Sequence, residues 1–326
     1  MEIRLNPKSA NFFLLLIIGI PANLTILMLF IVSAISDKKL MPTDLILTKL
    51  SFVNIIVVLV RGIPQALTDI GIQKLFNNYG CKVVIFTYRV CRAMSVCITA
   101  VLSIYQCSVL LPPSSKYTTL KQKVAQNIVV IFLFIWCING IIYIPLGFVY
   151  TQSEVNSTIP KYAINLEFCF VLFPNEVAYR VNGIVYSFRD FIFIGLMVLS
   201  SSYIVAILYK HNKKLQNIRS PDQKQRNATE LKAAKAVVML VTLYVFLFGL
   251  DNAIWMYTLT VSNVAPVISS SRVFFALLYT AVSPLVIMGT NKKIQQKLKC
   301  FSYNTDKKVK QSTVAHIEIK TEEMNS

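Results

Sequence analysis

Hydrophobic residues along this chain collect in seven long runs, near 11–35, 45–66, 83–111, 128–149, 181–209, 233–260 and 267–288, and polar residues gather between them. At a helical rise of ~1.5 Å per residue, each run is long enough to cross a hydrocarbon core of ~30 Å. Inside that core a backbone N–H or C=O finds no water, so each run must satisfy its own hydrogen bonds as a helix. The pattern predicts an all-α, seven-transmembrane helix bundle. An odd number of crossings puts the two termini on opposite sides.

Composition agrees. The 326 residues are 55% hydrophobic and 15% charged, with mean hydropathy +0.58; soluble domains carry ~25% charge. The spans use most of the length, so one membrane domain is expected over 11–290, with an N-terminal segment 1–10 and a tail 291–326. The first run is longer than the roughly 7–15 residues of a signal-peptide core. It is followed by Ser36-Asp37-Lys38-Lys39 and not by a small-residue cleavage site, so an uncleaved first helix is expected.

A net charge of +18 could suggest nucleic acid, but its distribution argues otherwise. Lys38, Lys39, Lys116, Lys121 and Lys123 fall in the first two alternate loops. Lys210, Lys213, Lys214, Arg219, Lys224, Arg226 and Lys232 fall in the third, and Lys292, Lys293, Lys297 and Lys299 follow the last run. The opposite connections hold only Lys74, Lys82, Lys161 and Arg180. Basic residues are retained on the cytoplasmic side, so these loops are read as inside and the N-terminus as extracellular. The expected partners of the basic face are membrane lipid and an acidic protein surface, not nucleic acid.

On that topology Cys81 and Cys169 share the oxidising side, and a disulfide between them is expected. Of the three Asn-x-Ser/Thr sequons, only Asn156 falls in an outer loop, which makes it the candidate glycosylation site. Neither His211 nor His316 lies in a span, and no metal, phosphate-cradle or nucleophile-elbow motif occurs. Asp190 and Asp251 could be imagined as paired protease aspartates, but neither sits in a Gly-Asp motif. No enzymatic activity and no cofactor or metal are expected.

Charges at membrane depth are the chemistry that remains. Such residues cost a few kcal/mol unless paired or wetted, and they mark functional cavities. Counting from the outer ends of the spans, Arg89 and Arg92 in the third, Arg189 and Asp190 in the fifth, and Asp251 in the sixth converge on one outer-half layer. Tyr88, Arg89 and Arg92 share a face through their helical spacing. A ligand pocket is predicted from Tyr88, Arg89, Arg92, Arg189, Asp190, Phe248, Asp251, Asn252 and Trp255, with Arg92 or Arg89 paired to Asp251 or Asp190. The competing reading is a purely structural ion-pair lock. Arg61 and Arg272 lie nearer the outer surface, where snorkelling competes with a role in the bundle.

Pro21, Pro64, Pro145 and Pro284 fall in or at the edge of spans, where they kink helices or free carbonyls. After the last span, Ile294, Leu298 and Phe301 share one face with lysines opposite. A short amphipathic eighth helix on the inner leaflet is expected, with Cys300 a candidate for lipidation. Residues 302–326 are polar and read as disordered.

These features together resemble a rhodopsin-like G-protein-coupled receptor, and more closely the vomeronasal type 1 receptor family with its fish and amphibian olfactory relatives. The resemblance rests on Asp44-Leu-Ile-Leu-Thr-Lys-Leu50 with Asn54, Arg61-Gly-Ile-Pro-Gln65, Gly80-Cys-Lys-Val, Arg89-Val-Cys-Arg92, Leu102-Ser-Ile-Tyr-Gln106, Arg189-Asp190 and Ala281-Val-Ser-Pro-Leu285, and it runs over roughly 11–300. It implies a chemosensory receptor that binds a small ligand among the helices and activates a heterotrimeric G protein of the Gi/Go type. The chain departs from the general rhodopsin-like pattern at several places. Asn54 replaces the helix-two aspartate, Tyr105-Gln106-Cys107 replaces the DRY triplet, Ser283-Pro284 stands in the NPxxY position, and no proline follows Phe248. The resemblance to bitter taste receptors is looser, and a transporter would need an internal repeat that is absent.

Overall fold

The structure, a computed structural model, describes residues 7–37, 41–72, 74–111, 122–124, 126–154, 162–215, 221–260, 266–290 and 294–296. The seven runs fold as α1 (Pro7–Asp37), α2 (Pro42–Asp69), α3 (Asn78–Leu110), α4 (Ile128–Val149), α5 (Glu176–Leu215), α6 (Pro221–Thr260) and α7 (Pro266–Thr290). Each contains a stretch apolar and long enough to span a membrane. The observed helices outrun the hydrophobic runs most at α5 and α6. Polar residues such as Lys210 and Gln223 continue a helix well, and hydropathy alone does not register them.

The helices close into a ring in which α1 packs on α2 and α7, α6 on α5 and α7, and α3 on α2, α4, α5 and α6. That places α3 at the centre. Of its most apolar window 67% is buried, against 22% for α4 and for α5. Those two helices instead expose Phe134, Ile141, Phe188 and Leu199, an apolar surface suited to lipid tails. A buried amide joins α1 to α7: Asn23 Nδ2 donates to Gly19 O at 2.8 Å and to Thr280 O at 2.9 Å.

Two of the four prolines coincide with π-helical turns. One turn spans Val58–Gly62, just before Pro64, and the other is Pro145–Val149. Proline supplies no N–H, so the regular ladder is interrupted there and a wider turn absorbs the break. Arg61 lies inside the first of these turns and is only 2% exposed. Pro21 and Pro284 sit within continuous helices.

The connection between α4 and α5, read from sequence as a long loop, holds a small antiparallel sheet. Strands β1 (Thr151–Gln152), β2 (Ala163–Asn165) and β3 (Phe170–Leu172) are ordered β1-β3-β2, with Val171 opposite both Thr151 and Ile164. Strands of two or three residues are too short for alternation to reveal. Cys169, immediately before β3, is disulfide-bonded to Cys81 in the first turns of α3. The bond pins the sheet across one end of the bundle, here called the disulfide end. Asn77 caps α3 there, its Oδ1 accepting from Gly80 N at 2.7 Å.

Asn156 and Cys300 lie outside the described residues, as does nearly all of the expected eighth helix. Its described part, residues 294–296, is helical, with Ile294 buried and Gln295 Nε2 donating to Gly289 O at 2.7 Å.

Candidate functional site

At the disulfide end a cavity opens among α3, α4, α5, α6 and α7. Its charged walls come from the layer the sequence singled out. Arg89, Arg92, Arg189, Asp190, Phe248, Asp251, Asn252 and Trp255 all line it. Tyr88 does not; it is buried beside the cavity, and its hydroxyl accepts a hydrogen bond from Arg92 Nη1 at 3.2 Å.

Asp251 is the centre of a three-helix cluster. One carboxylate oxygen is ion-paired with Arg92 of α3, and the other accepts from Arg272 Nε of α7 at 3.0 Å. The Asp251 side chain is 5% exposed and each arginine 22%. A carboxylate can accept from two guanidinium groups at once, which compensates burial far better than one partner does. The Arg272 guanidinium also lies 4.4 Å from the centroid of the Trp255 ring.

The second acidic residue pairs locally. Asp190 is ion-paired with its neighbour Arg189, whose Nε donates to it at 3.0 Å. Arg189 also reaches across to α4, donating to Asn139 Oδ1 at 2.9 Å and lying 5.1 Å from the Tyr143 ring centroid. Tyr143 in turn stacks on Tyr186 of α5. Of the pairings left open by the sequence, the structure selects Arg92 with Asp251. Arg89 remains without an ion pair among the described residues, and its Nε is buried with no hydrogen-bond partner.

Of the two readings left open for Arg61 and Arg272, the structure favours a role in the bundle. Arg61 is buried, with Nη1 donating to Leu166 O at 3.4 Å and the guanidinium 4.8 Å from the Phe168 ring centroid. The disulfide-anchored segment folds over it and removes its route to the surface. Arg272 is held by the Asp251 carboxylate. The same segment is tied down at Glu167, which has a positive φ of 72°, pairs with Gln65 of α2 and accepts from Ser270 of α7 at 3.4 Å.

The aromatic wall was not anticipated. Tyr143, Phe173, Tyr179 and Tyr186 line the cavity together with Leu146, Ile164, Asn182, Gly183, Ser187 and Arg272. Tyrosines near span ends read equally well as interfacial anchors, and only packing turns them inward. Gly183 permits one close approach, since a Cβ there would sit 3.2 Å from the Trp255 ring.

Below this cavity a second, smaller one lies between Arg92, Asp251, Tyr244 and Tyr279. Beneath it Ser95 Oγ donates to Asn54 Oδ1 at 3.0 Å, and Asn54 Nδ2 donates to Ser283 Oγ at 3.1 Å. Thr99 and Tyr279 hydroxyls are 2.9 Å apart. Neutral hydrogen bonds thus tie α2, α3 and α7 at mid-bundle. At the opposite end Gln106 Nε2 donates to Thr43 Oγ1 at 3.4 Å, beside a third, small cavity bounded by α2, α3, α6 and α7.

Comparison with known proteins agrees with this architecture. The chain is similar over 91% of its length to squid rhodopsin, covering 85% of that chain, with a TM-score of 0.68 at 16% identity. It is 37% identical over 301 residues to the olfactory receptor class A-like protein 1 of Danio rerio, covering 92% of this chain and 94% of that one. It is 29% identical to the vomeronasal type-1 receptor 90 of Rattus norvegicus, over 90% of this chain and 93% of that one. The sequence profile of the vomeronasal organ pheromone receptor family matches residues 7–300. A rhodopsin-like bundle, a family match over nearly the whole length and long alignments to chemosensory receptors lead to one conclusion: this chain belongs to the vomeronasal type 1 receptor family, and is a seven-helix chemosensory G-protein-coupled receptor of the plasma membrane.

Proposed function

We propose that the disulfide end faces outward, that the cavity there receives a small chemosensory ligand, and that the opposite, lysine-rich end activates a heterotrimeric G protein of the Gi/Go type. The observation that carries the reading is the Asp251 cluster. One residue of α6 forms part of the cavity wall and is held to α3 and α7 through Arg92 and Arg272. A ligand touching this cluster acts directly on the attachment of α6 to its neighbours.

The mechanism is a population shift. A ligand that binds better when α6 is displaced stabilises that state by its difference in affinity, and by no more. Displacement of α6 at the far end would open the region around Gln106 and Thr43, where a G-protein segment could enter. Tyr88, Arg89, Arg92, Arg189, Asp190, Phe248, Asp251, Asn252 and Trp255 are the proposed ligand-site residues, with Tyr88 acting through Arg92. Glycosylation at Asn156 and lipidation at Cys300 fit the same orientation.

The test uses full-length receptor in cells, read by release of Gβγ and by the fall in cAMP. A stimulus response is expected to be blocked by pertussis toxin, and its potency to fall in Phe248→Ala and Trp255→Ala while surface expression persists. A cAMP rise through a stimulatory G protein would sink the coupling. Unchanged potency in both wall variants would sink the ligand site.

A further inference from the structure

The cavity walls carry four arginines, Arg89, Arg92, Arg189 and Arg272, against two aspartates, Asp190 and Asp251. Four minus two leaves two formal positive charges. Both carboxylates are already engaged, Asp251 by Arg92 and Arg272 and Asp190 by Arg189. Neither has been drawn to Arg89. That guanidinium lies 5.8 Å from the centroid of the Tyr88 ring, and its buried Nε donates to nothing.

A guanidinium carries five N–H donors, accepts nothing and stays charged, so it cannot escape burial by losing its proton. Within a span such a cation is costly and is retained where its charge is used. The group that fits is an oxyanion, because two parallel N–H donors match two carboxylate, sulfate or phosphate oxygens. The rest of the wall suits an apolar body: Tyr143, Phe173, Tyr179, Phe248 and Trp255 present rings to the same space.

We infer that the ligand is a small organic anion with an apolar or aromatic body, and that Arg89 receives its acid group. The inference rests on the cavity being the ligand site. Arg92 and Arg272 are spent on Asp251 and Arg189 on Asp190, so Arg89 sets the preference for negative charge. Binding would give the Arg89 guanidinium the counter-charge that neither aspartate of the cavity supplies.

The experiment uses purified full-length receptor in nanodiscs of phosphatidylcholine, read by thermal unfolding so that no G protein is involved. Probes come as matched pairs: hydrocinnamate with hydrocinnamamide, and phenethyl sulfate with phenethyl alcohol; sodium acetate and sodium chloride serve as bare anions. Each acid is expected to raise the melting temperature at lower concentration than its neutral partner, with the bare anions ineffective. In Arg89→Gln the concentration needed for the acids should rise roughly 10- to 100-fold, the loss of one charge-assisted contact, while the neutral partners hold. Ligand-free Arg89→Gln should melt at or above the wild type, because a charge without an ion-pair partner has been removed from the span.

Equal effects of acids and neutral partners would overturn the inference, as would acids unaffected by Arg89→Gln or bare anions as effective as the acids. A lower ligand-free melting temperature in Arg89→Gln would assign Arg89 a structural role instead. Loss of all probe binding in Trp255→Ala, with Arg89→Gln silent, would keep the cavity as the ligand site and reject only its preference for anions. No dependence on either residue would reject the cavity itself.

Discussion

Asp251→Asn removes one negative charge from between two arginines and leaves the volume almost unchanged. In the wild type the Asp251 side chain is 5% exposed, and it receives Arg92 and Arg272 on separate oxygens. Asparagine keeps one acceptor oxygen but offers an NH₂ group to the second guanidinium, which cannot accept it. Two cations then face each other without a counter-charge. Removing one partner of a buried ion pair costs about 3–5 kcal/mol, and the surviving hydrogen bond puts this case near the lower figure. A loss of about 3 kcal/mol is roughly a hundredfold shift in a folding or conformational equilibrium. Thermal unfolding can be read with a thiol-reactive dye, because Cys91 and Cys97 are buried and become reactive only on unfolding, whereas exposed Cys137 sets the baseline. Asp251→Asn should melt well below the wild type, and Arg92→Gln added to it should recover part of the loss by removing a stranded cation. Reversing the charges of Arg92 and Asp251 should restore less, because Arg272 would then face a new arginine. Melting of Asp251→Asn within a degree or so of the wild type, or strict additivity in the Arg92–Asp251 cycle, would refute the cluster as the fastening of α6.

Three further outcomes rest on the geometry. Replacing Cys81 and Cys169 by serine opens a link across 88 residues, which removes about 4–5 kcal/mol of chain-entropy stabilisation and should depress surface expression and melting temperature together. Gly147→Ala puts a Cβ 2.7 Å from Phe86 Cβ and 3.1 Å from Phe86 Cα, a clash with backbone that should cost about 1–3 kcal/mol, whereas Gly140→Ala, with open space around it, should be near neutral in the same melting assay. Gln106→Ala removes the hydrogen bond to Thr43, worth about 0.5–1.5 kcal/mol, and should raise ligand-independent Gβγ release by roughly two- to tenfold; unchanged basal release would place the inactive-state restraint elsewhere.

The seven membrane-length helices, the disulfide and the shared level of the charged residues were all legible in the order of residues. Each follows from local physics. Lipid forces any long apolar run to be helical, and counting residues from a span's end fixes how deep Arg89, Arg92, Arg189, Asp190 and Asp251 lie. Which charges meet was not legible. Arg89 and Arg92 are three positions apart on one helix, yet only Arg92 reaches Asp251, and Arg272, which could have turned outward, completes the cluster. That choice depends on how α3, α6 and α7 rotate about their axes, and packing across the whole ring sets it. The same holds for Tyr143, Tyr179 and Tyr186, which a local reading leaves as interfacial aromatics and the closed bundle turns into a cavity wall. The three short strands over the cavity owe their register to cross-strand pairing and to the Cys81–Cys169 anchor, neither of which shows in a hydropathy pattern. That Arg89 keeps its charge unspent emerges only once the bundle has closed, because a pairing is a property of distances between helices and not of the residues within one.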